Sequence, residues 1–438
     1  MPSHPSTLAP RGLHPRRNIA VIGAGITGMG AAHRLADSHN VTLFEAGHRL
    51  GGHARTVMAG KRGDQPVDTG FIVFNYANYP HLAALFAELD VPVVKSNMSF
   101  GASIDGGRFE YALTSIDAIF AQKKNLLNPG FLRMIRDIVK FNNNALRVAE
   151  DKSLTIGEFL NVLGMGNYFR NYYLSPLSGA IWSTPTEKIM DFPAHAMVQF
   201  FENHALLGYS GQHQWYTVEG GSQSYVTRLE AAMRGKGVNI RLNAPIDAVR
   251  RVATGVEVKA KGGDWTHYDE VIFATHSDDT LALLSDPSAE ESRALGAVRY
   301  QPNDIVLHAD ASVMPKRRKT WASWVYTEDS NAASDRIDLT YWMNSLQPIP
   351  MDDPHFVTLN TKRTIREDLI YDQVTLRHPV YDLAALAAQK DVTAFNGTRN
   401  TWFCGAWMRN GFHEDGLATA MEVVDAMTAA DRLAIAAE

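Results

Sequence analysis

The stretch IAVIGAGITGMGAAHRLADSHNVTLFEAGHRLGG, residues 19–52, decides how the chain begins to fold. Residues 18–22, NIAVI, are a short apolar run of the kind a fully buried parallel strand needs. Gly23, Gly25 and Gly28 follow at once with the spacing G-x-G-x-x-G. MGAAHRLAD then runs with helical spacing, and VTLFE reads as a second buried strand ending at Glu45. Together these make one βαβ unit. Its first glycine permits the tight turn, its second lets backbone approach a pyrophosphate, and its third lets helix and strand pack closely. The helix start offers free N–H groups and a partial positive charge to phosphate. Glu45, at the strand tip, can accept hydrogen bonds from an adenosine ribose. It would repel a 2′-phosphate, which disfavours NADP.

NAD and FAD are distinguished further along. RLGGHART, residues 49–56, places a second glycine pair directly after the acid-tipped strand. A long cofactor running past its pyrophosphate needs such a pair, because backbone must press against it; a plain surface turn is the competing reading. Arg49 or Arg55 could pair with phosphate. At the far end, TWFCGA reads as another strand ending at Gly405, and a long helical pattern begins near His413-Glu414-Asp415-Gly416. A helix start there is a second backbone site for negative charge. Between these ends, WYTVEGG precedes a helix, VNIRLN and GVEVKA alternate as edge or antiparallel strands, and VIFAT reads as a buried strand returned to the sheet.

The totals are those of an ordinary globular protein. The chain has 438 residues, 45% hydrophobic and 20% charged, with a formal net charge of −5. Nothing in that balance suggests a nucleic-acid partner. A single cysteine, Cys404, rules out a disulfide within the chain and fits a reducing, cytoplasmic setting. Residues 1–17 are rich in Pro and Arg and read as a disordered tail. No apolar run is long enough to span a membrane. No H-x-x-x-H face or cysteine cluster appears, so no metal is expected.

The segments VIGAGITGMG, FEAGHRLGGHART, VDTGFIVFN, VEGGSQSYVTRL, DEVIFATHSD and WFCGAWMRNGFHEDG occur in this order. In that set the chain resembles the superfamily of FAD-dependent amine oxidases, phytoene desaturases and protoporphyrinogen oxidases. VDTGFIVFN, AIWSTP, DFPA, RYQPN and GFHEDG further resemble bacterial flavoproteins associated with cyclopropane-fatty-acid synthases. The resemblance implies non-covalent FAD and a Rossmann-like α/β FAD-binding domain, discontinuous over residues 18–75, 212–285 and 396–438. It implies an α+β substrate domain, with an antiparallel sheet, from residues 76–211 and 286–395. The first of those insertions is mainly helical in pattern; the second alternates like an antiparallel sheet.

Carried over residue by residue, the resemblance implies that Gly23, Gly25, Ile26, Thr27 and Gly28 cradle the pyrophosphate. Glu45 and Ala46 would meet the adenosine ribose. Arg49, Gly51, Gly52, His53 and Ala54 would run beside the phosphates and flavin, and Gly405, Gly416 and Leu417 would reach the ribityl chain and flavin. FHEDG departs from the wider superfamily, which has smaller residues there.

The candidates for catalysis are His413 and Glu414, as acid or base, His53, and Trp182 and Tyr341 on the substrate side. Asn203, His204 and Trp342 join the substrate side, and Asp68 is placed to orient backbone around the flavin. Glu414 and Asp415 also suit helix capping. Cys404 reads as a buried small hydrophobe rather than a flavin attachment.

The expected activity is hydride transfer from an apolar substrate, a fatty-acyl or lipid chain, to flavin. The alternatives are an amine oxidase, a redox-neutral isomerase, and a non-catalytic flavoprotein partner of a lipid methyltransferase. Such a partner, and a peripheral contact with the inner membrane, belong to the expectation. PKRRKTW, residues 315–321, holds four consecutive cations and reads as a solvated hairpin turn in preference to a headgroup contact.

Overall fold

The structure is a computed structural model that describes residues 16–182, 189–203, 207, 213–328 and 337–437. Its first sheet has five parallel strands in the order 239–241, 40–44, 18–22, 270–273, 401–403. Strand β1, Asn18–Ile22, lies between β2, Asn40–Phe44, and the strand Glu270–Phe273. Ile19, Ala20 and Val21 are fully buried, because both faces of the sheet are covered. Ile19 and Val21 pack with helix α1, Ile26–Leu35, and with the helices Gln223–Gly235 and His413–Ala437. Ala20 and Ile22 point the other way, into a cluster with Val256, Val258 and Tyr268 of a three-stranded antiparallel sheet. Residues 239–241 are therefore a parallel edge strand, returned to the sheet by the helix before it, while 255–260 is antiparallel.

The second large sheet has seven strands in the order 370–380, 299–308, 356–359, 338–342, 324–328, 100–104, 109–112. It is antiparallel apart from one parallel pairing, Trp324–Glu328 with Phe100–Ile104. Its last two strands come from the insertion whose pattern is mainly helical. Phe100–Ile104 is buried at every position, so it has no alternation to reveal it. The helices Pro129–Val148, Ile156–Val162 and Ala194–Asn203 pack with this sheet in the largest apolar cluster. Among the described residues, no helix is long and apolar enough to cross a membrane.

Candidate cofactor and substrate site

One cavity of about 1190 Å³ opens at the carboxyl ends of the parallel strands. Gly23, Glu45 and Ala274 line it immediately after their strands, and Gly405 follows the strand Thr401–Phe403 by two residues. From there it continues without a break to Ile135, Ile138, Leu177, Val357 and Leu359.

The glycines divide into those that shape the wall and those that hold it. Gly23 has φ +98°, and a Cβ on Gly28 would lie 1.8 Å from the Gly23 carbonyl oxygen. Only a residue without a side chain lets α1 start so close behind β1. Gly25 differs: its φ is −72°, and a Cβ there would meet no protein atom within 4 Å. It faces open cavity. The Gly51 N–H donates to the Ala24 carbonyl at 2.8 Å, and a Cβ on Gly52 would lie 3.0 Å from Gly25 Cα. The two glycine turns thus lie back to back. No side chain caps α1, whose first N–H groups have no intrahelical acceptor, and its start, Ile26 and Thr27, lines the cavity.

Glu45 is fixed by its own loop. One carboxylate oxygen accepts from the Ala24 N–H at 2.9 Å and the other from the Gly47 N–H at 2.8 Å. A carboxylate has about four lone-pair sites, so acceptor capacity remains for hydroxyls. An uncapped helix start, an open Gly25 and a fixed acid at the strand tip fit the pyrophosphate and ribose of FAD.

Other expected contacts do other work. Arg49 donates to the carbonyls of Leu50, Gly52 and Ala54, which braces the second glycine turn from outside the cavity wall. Arg55 is forked onto Asp372 at 2.6 and 3.0 Å. Both guanidiniums are engaged with protein, and neither forms part of the cavity wall. Ala46 is exposed, Ala54 is buried, and neither forms the wall. A Cβ on Gly416 would lie 2.6 Å from Thr27 Oγ1, and Leu417 approaches Gly30 of α1. Gly416 and Leu417 therefore seat the C-terminal helix on α1 instead of lining the cavity. Glu414 does not line the cavity: its carboxylate accepts the His81 and Leu82 N–H groups at 3.0 and 2.9 Å, capping helix α2, Pro80–Glu88. The side chains of Trp182 and Asn203, and all of His204, lie outside the described residues. Tyr341, His53, His413 and Gly405 do line the cavity.

His413 stacks on Phe71 with ring centroids 4.0 Å apart, and its Nε2 lies 2.6 Å from the Tyr225 hydroxyl. Burial lowers its pKa to about 3, so it is neutral at physiological pH. Phe412 stacks on Phe200 at 5.1 Å. The bulky FHEDG segment is thus accommodated by two aromatic partners. A second group was not anticipated. His53 lies 5.9 Å from His276 and 5.6 Å from His378, ring to ring, and all three line the cavity. Burial lowers each pKa, to about 3 for His276 and His378. Arg377 donates to Asp278 at 2.6 Å and also to Asp279, while its carbonyl meets His53 Nε2 at 3.2 Å. The sequence held one usable signal, the position of His276 just past the strand Glu270–Phe273; nothing marked His378 or Arg377.

Asp68 ties the parts together. It accepts hydrogen bonds from Thr56 Oγ1, from the Ser222 N–H and hydroxyl, and from Gln347 Nε2. Burial raises its pKa to about 6 against those bonds. Cys404 is fully buried, and burial pushes its thiol pKa up.

Fold and site together define a dinucleotide-binding protein with an apolar chamber joined to its cofactor pocket. Residues 26–354 match the family described as flavin containing amine oxidoreductase, well over half of the chain. The chain belongs to that family, and FAD is its cofactor. Coproporphyrinogen III oxidase of Staphylococcus aureus (strain NCTC 8325 / PS 47) is 25% identical over 275 residues, 53% of this chain and 55% of that protein. The enzyme of the same name from Mycobacterium leprae (strain TN) is 43% identical over 77 residues, 17% of this chain and 16% of that protein. The chain therefore spans about half or less of the length of these curated relatives. Among solved structures, a CLA-producing fatty acid isomerase from P. acnes superposes with TM-score 0.66 at 14% identity, covering 96% of this chain and 99% of that one. Cyclohexylamine oxidase from Brevibacterium oxydans IH-35A superposes with TM-score 0.64 at 14% identity, covering 94% and 100%. At such identities the likeness is one of fold.

Proposed function

We propose that the protein is an FAD-dependent oxidoreductase acting on a long apolar substrate, a fatty-acyl chain of a lipid. The observation that carries this reading is the continuity of the cavity from the Gly25 turn to a chamber walled by Ile135, Ile138, Leu177, Val357 and Leu359. A charged or short polar substrate would leave those aliphatic walls without a partner, whereas an alkyl chain buries against them at about 0.8 kcal/mol per CH₂. Bound FAD supplies a two-electron acceptor for hydride.

The chain's own groups supply position and electrostatics. The α1 N-terminus would receive the phosphates, and Glu45 would accept from the ribose hydroxyls. His53, His276, His378 and His413 are held neutral by burial, so they present imidazole donors and acceptors to the cavity without charge. The Tyr225 hydroxyl is hydrogen-bonded to His413 Nε2, which leaves Nδ1 as the ring nitrogen for a hydrogen bond to substrate. The aliphatic chamber excludes water from the reacting bond.

The test is to purify the protein, record its absorption spectrum and identify co-purifying apolar molecules by mass spectrometry. A yellow protein carrying acyl lipid is expected. Hydrogen peroxide production with simple amines, and no response to acyl compounds, would replace this reading with amine oxidation. Conversion of an acyl double bond without any oxidant would make the reaction an isomerisation.

A further inference from the structure

We infer that the rim of the apolar chamber docks on an anionic phospholipid bilayer. Ile116 and Val139 both line the cavity and are exposed to solvent, 78% and 41%, so they mark its mouth. Val139 lies on the 20-residue helix Pro129–Val148. On this helix Leu132, Ile135, Val139, Asn142 and Leu146 follow one another three or four residues apart, which puts them in one stripe. Ile135, Val139 and Asn142 line the cavity, and Leu132 and Leu146 extend the stripe as exposed leucines at either end. The turn that leads into the helix exposes Leu126 and Leu127, the latter by 87%.

Charge selects the occupant. Arg133, Arg136, Lys140 and Arg147 form the neighbouring stripe, and Lys123 and Lys124 precede the helix. The helix has one acid, Asp137, which is 3% exposed, holds the Gly166 N–H and lies 3.5 Å from Arg133. Among the described residues, Lys123, Lys124, Arg136 and Lys140 have no acidic partner. Asp117, the acid beside Ile116, is neutralised by Lys319 at 2.7 Å. Glu150 and Asp151 lie beyond the helix's far end. A chain of net charge −5 thus gathers unpaired cations around exposed leucines at the mouth of an apolar cavity. That is the pattern of a helix lying in the interface of an anionic bilayer, whereas a second copy meeting it through the same patch would set like charges against each other.

The tract at 315–321 contributes little directly. Arg317 is paired with Glu110, Lys319 with Asp117, and Arg318 stacks over Trp321 and Trp342. The strands on either side, 299–308 and 324–328, are not neighbours in the sheet, so the expected hairpin turn is corrected to a crossing loop in which these cations are held by protein. Delivery of an acyl chain through this mouth rests on the substrate proposed above; docking itself rests on exposure and charge.

The experiment is co-sedimentation of the FAD-loaded protein with phosphatidylglycerol vesicles and with phosphatidylcholine vesicles. The variants are Leu132→Asp, Leu127→Asp and the pair Arg136→Glu with Lys140→Glu, all at exposed positions. Binding to the anionic vesicles is expected, weakened by salt and cut roughly tenfold or more by the charge-reversed pair. The aspartate variants should bind less while keeping FAD content and thermal midpoint. No binding to either vesicle, equal binding by all variants, or a wild-type dimer that Leu132→Asp dissolves without any vesicle effect would overturn docking. Vesicle binding with no acyl turnover would refute the substrate and leave the docking surface standing.

Discussion

Gly25→Ala and Gly28→Ala should separate the cofactor's space from the fold's own. At Gly25 the backbone has φ −72° and ψ −178°, which any residue adopts, and the added methyl meets no protein atom within 4 Å. The apoprotein should therefore keep its stability or gain about 0.4–1 kcal/mol from a stiffer unfolded chain. The methyl would, however, stand where the pyrophosphate must lie. Intrusions of one methyl into a packed contact cost about 1–3 kcal/mol, which corresponds to roughly 5- to 150-fold in Kd. Gly28→Ala is the contrast. Its Cβ would sit 1.8 Å from the Gly23 carbonyl oxygen, against a limit of 3.0 Å, so something must shift by 3.0 − 1.8 = 1.2 Å. That variant should lose about 1–3 kcal/mol or more of apoprotein stability. Thermal unfolding of both apoproteins, paired with FAD titration followed by quenching of flavin fluorescence, reads the two effects apart. If Gly25→Ala binds FAD like the wild type, or loses it only by unfolding, Gly25 does not face the pyrophosphate and the reasoning fails.

Three further outcomes follow from buried groups. Glu414→Ala removes the acceptor of two α2 N–H groups and should cost about 1–2 kcal/mol while changing FAD affinity little; a large kinetic effect at unchanged stability would restore Glu414 to the chemistry. His276, His378 and His413 have folded pKa values near 3, so below pH 6.5 the unfolded chain binds protons that the folded chain refuses. Asp68 and Asp415, raised to about 6 by burial, act oppositely between about pH 4 and 6. His308, lowered to about 4, and His33, His39 and His53, also lowered by burial, act with the histidines, while Glu270 and Glu414 act with the aspartates. These histidines outnumber these carboxyls, so apoprotein stability should fall as pH drops from 6.5 towards 4, and His378→Gln should flatten that slope; rising stability would contradict the neutral histidines. Cys404, buried with its thiol pKa pushed up, should resist alkylation in the folded protein, and acid precipitation should release all the FAD. FAD retained in the pellet would mean a covalent link.

The cofactor half was legible because its physics is local. NIAVI, the three glycines and VTLFE specify a buried strand, a turn without room for side chains, and a second strand within one short stretch. The alternating runs from 299 to 380 likewise showed their sheet; Arg299–His308 keeps part of that alternation in its burial, although Phe356–Leu359 is buried at every position. Phe100–Ile104 escaped notice because burial on both faces erases that period. The histidine group escaped because His53, His276 and His378 meet only through folding, from three distant segments. Arg49 and Glu414 show the converse: a charged residue beside a cofactor motif can be spent on the backbone that forms the pocket.

The most direct test of an acyl-chain oxidoreductase is anaerobic mixing of the FAD-loaded protein with long-chain acyl lipids or with short primary amines, following the oxidised-flavin absorbance. Bleaching by the acyl lipid, slowed when Leu177→Trp fills the chamber, is the expected result. Bleaching by amines alone, indifferent to Leu177→Trp, would contradict it.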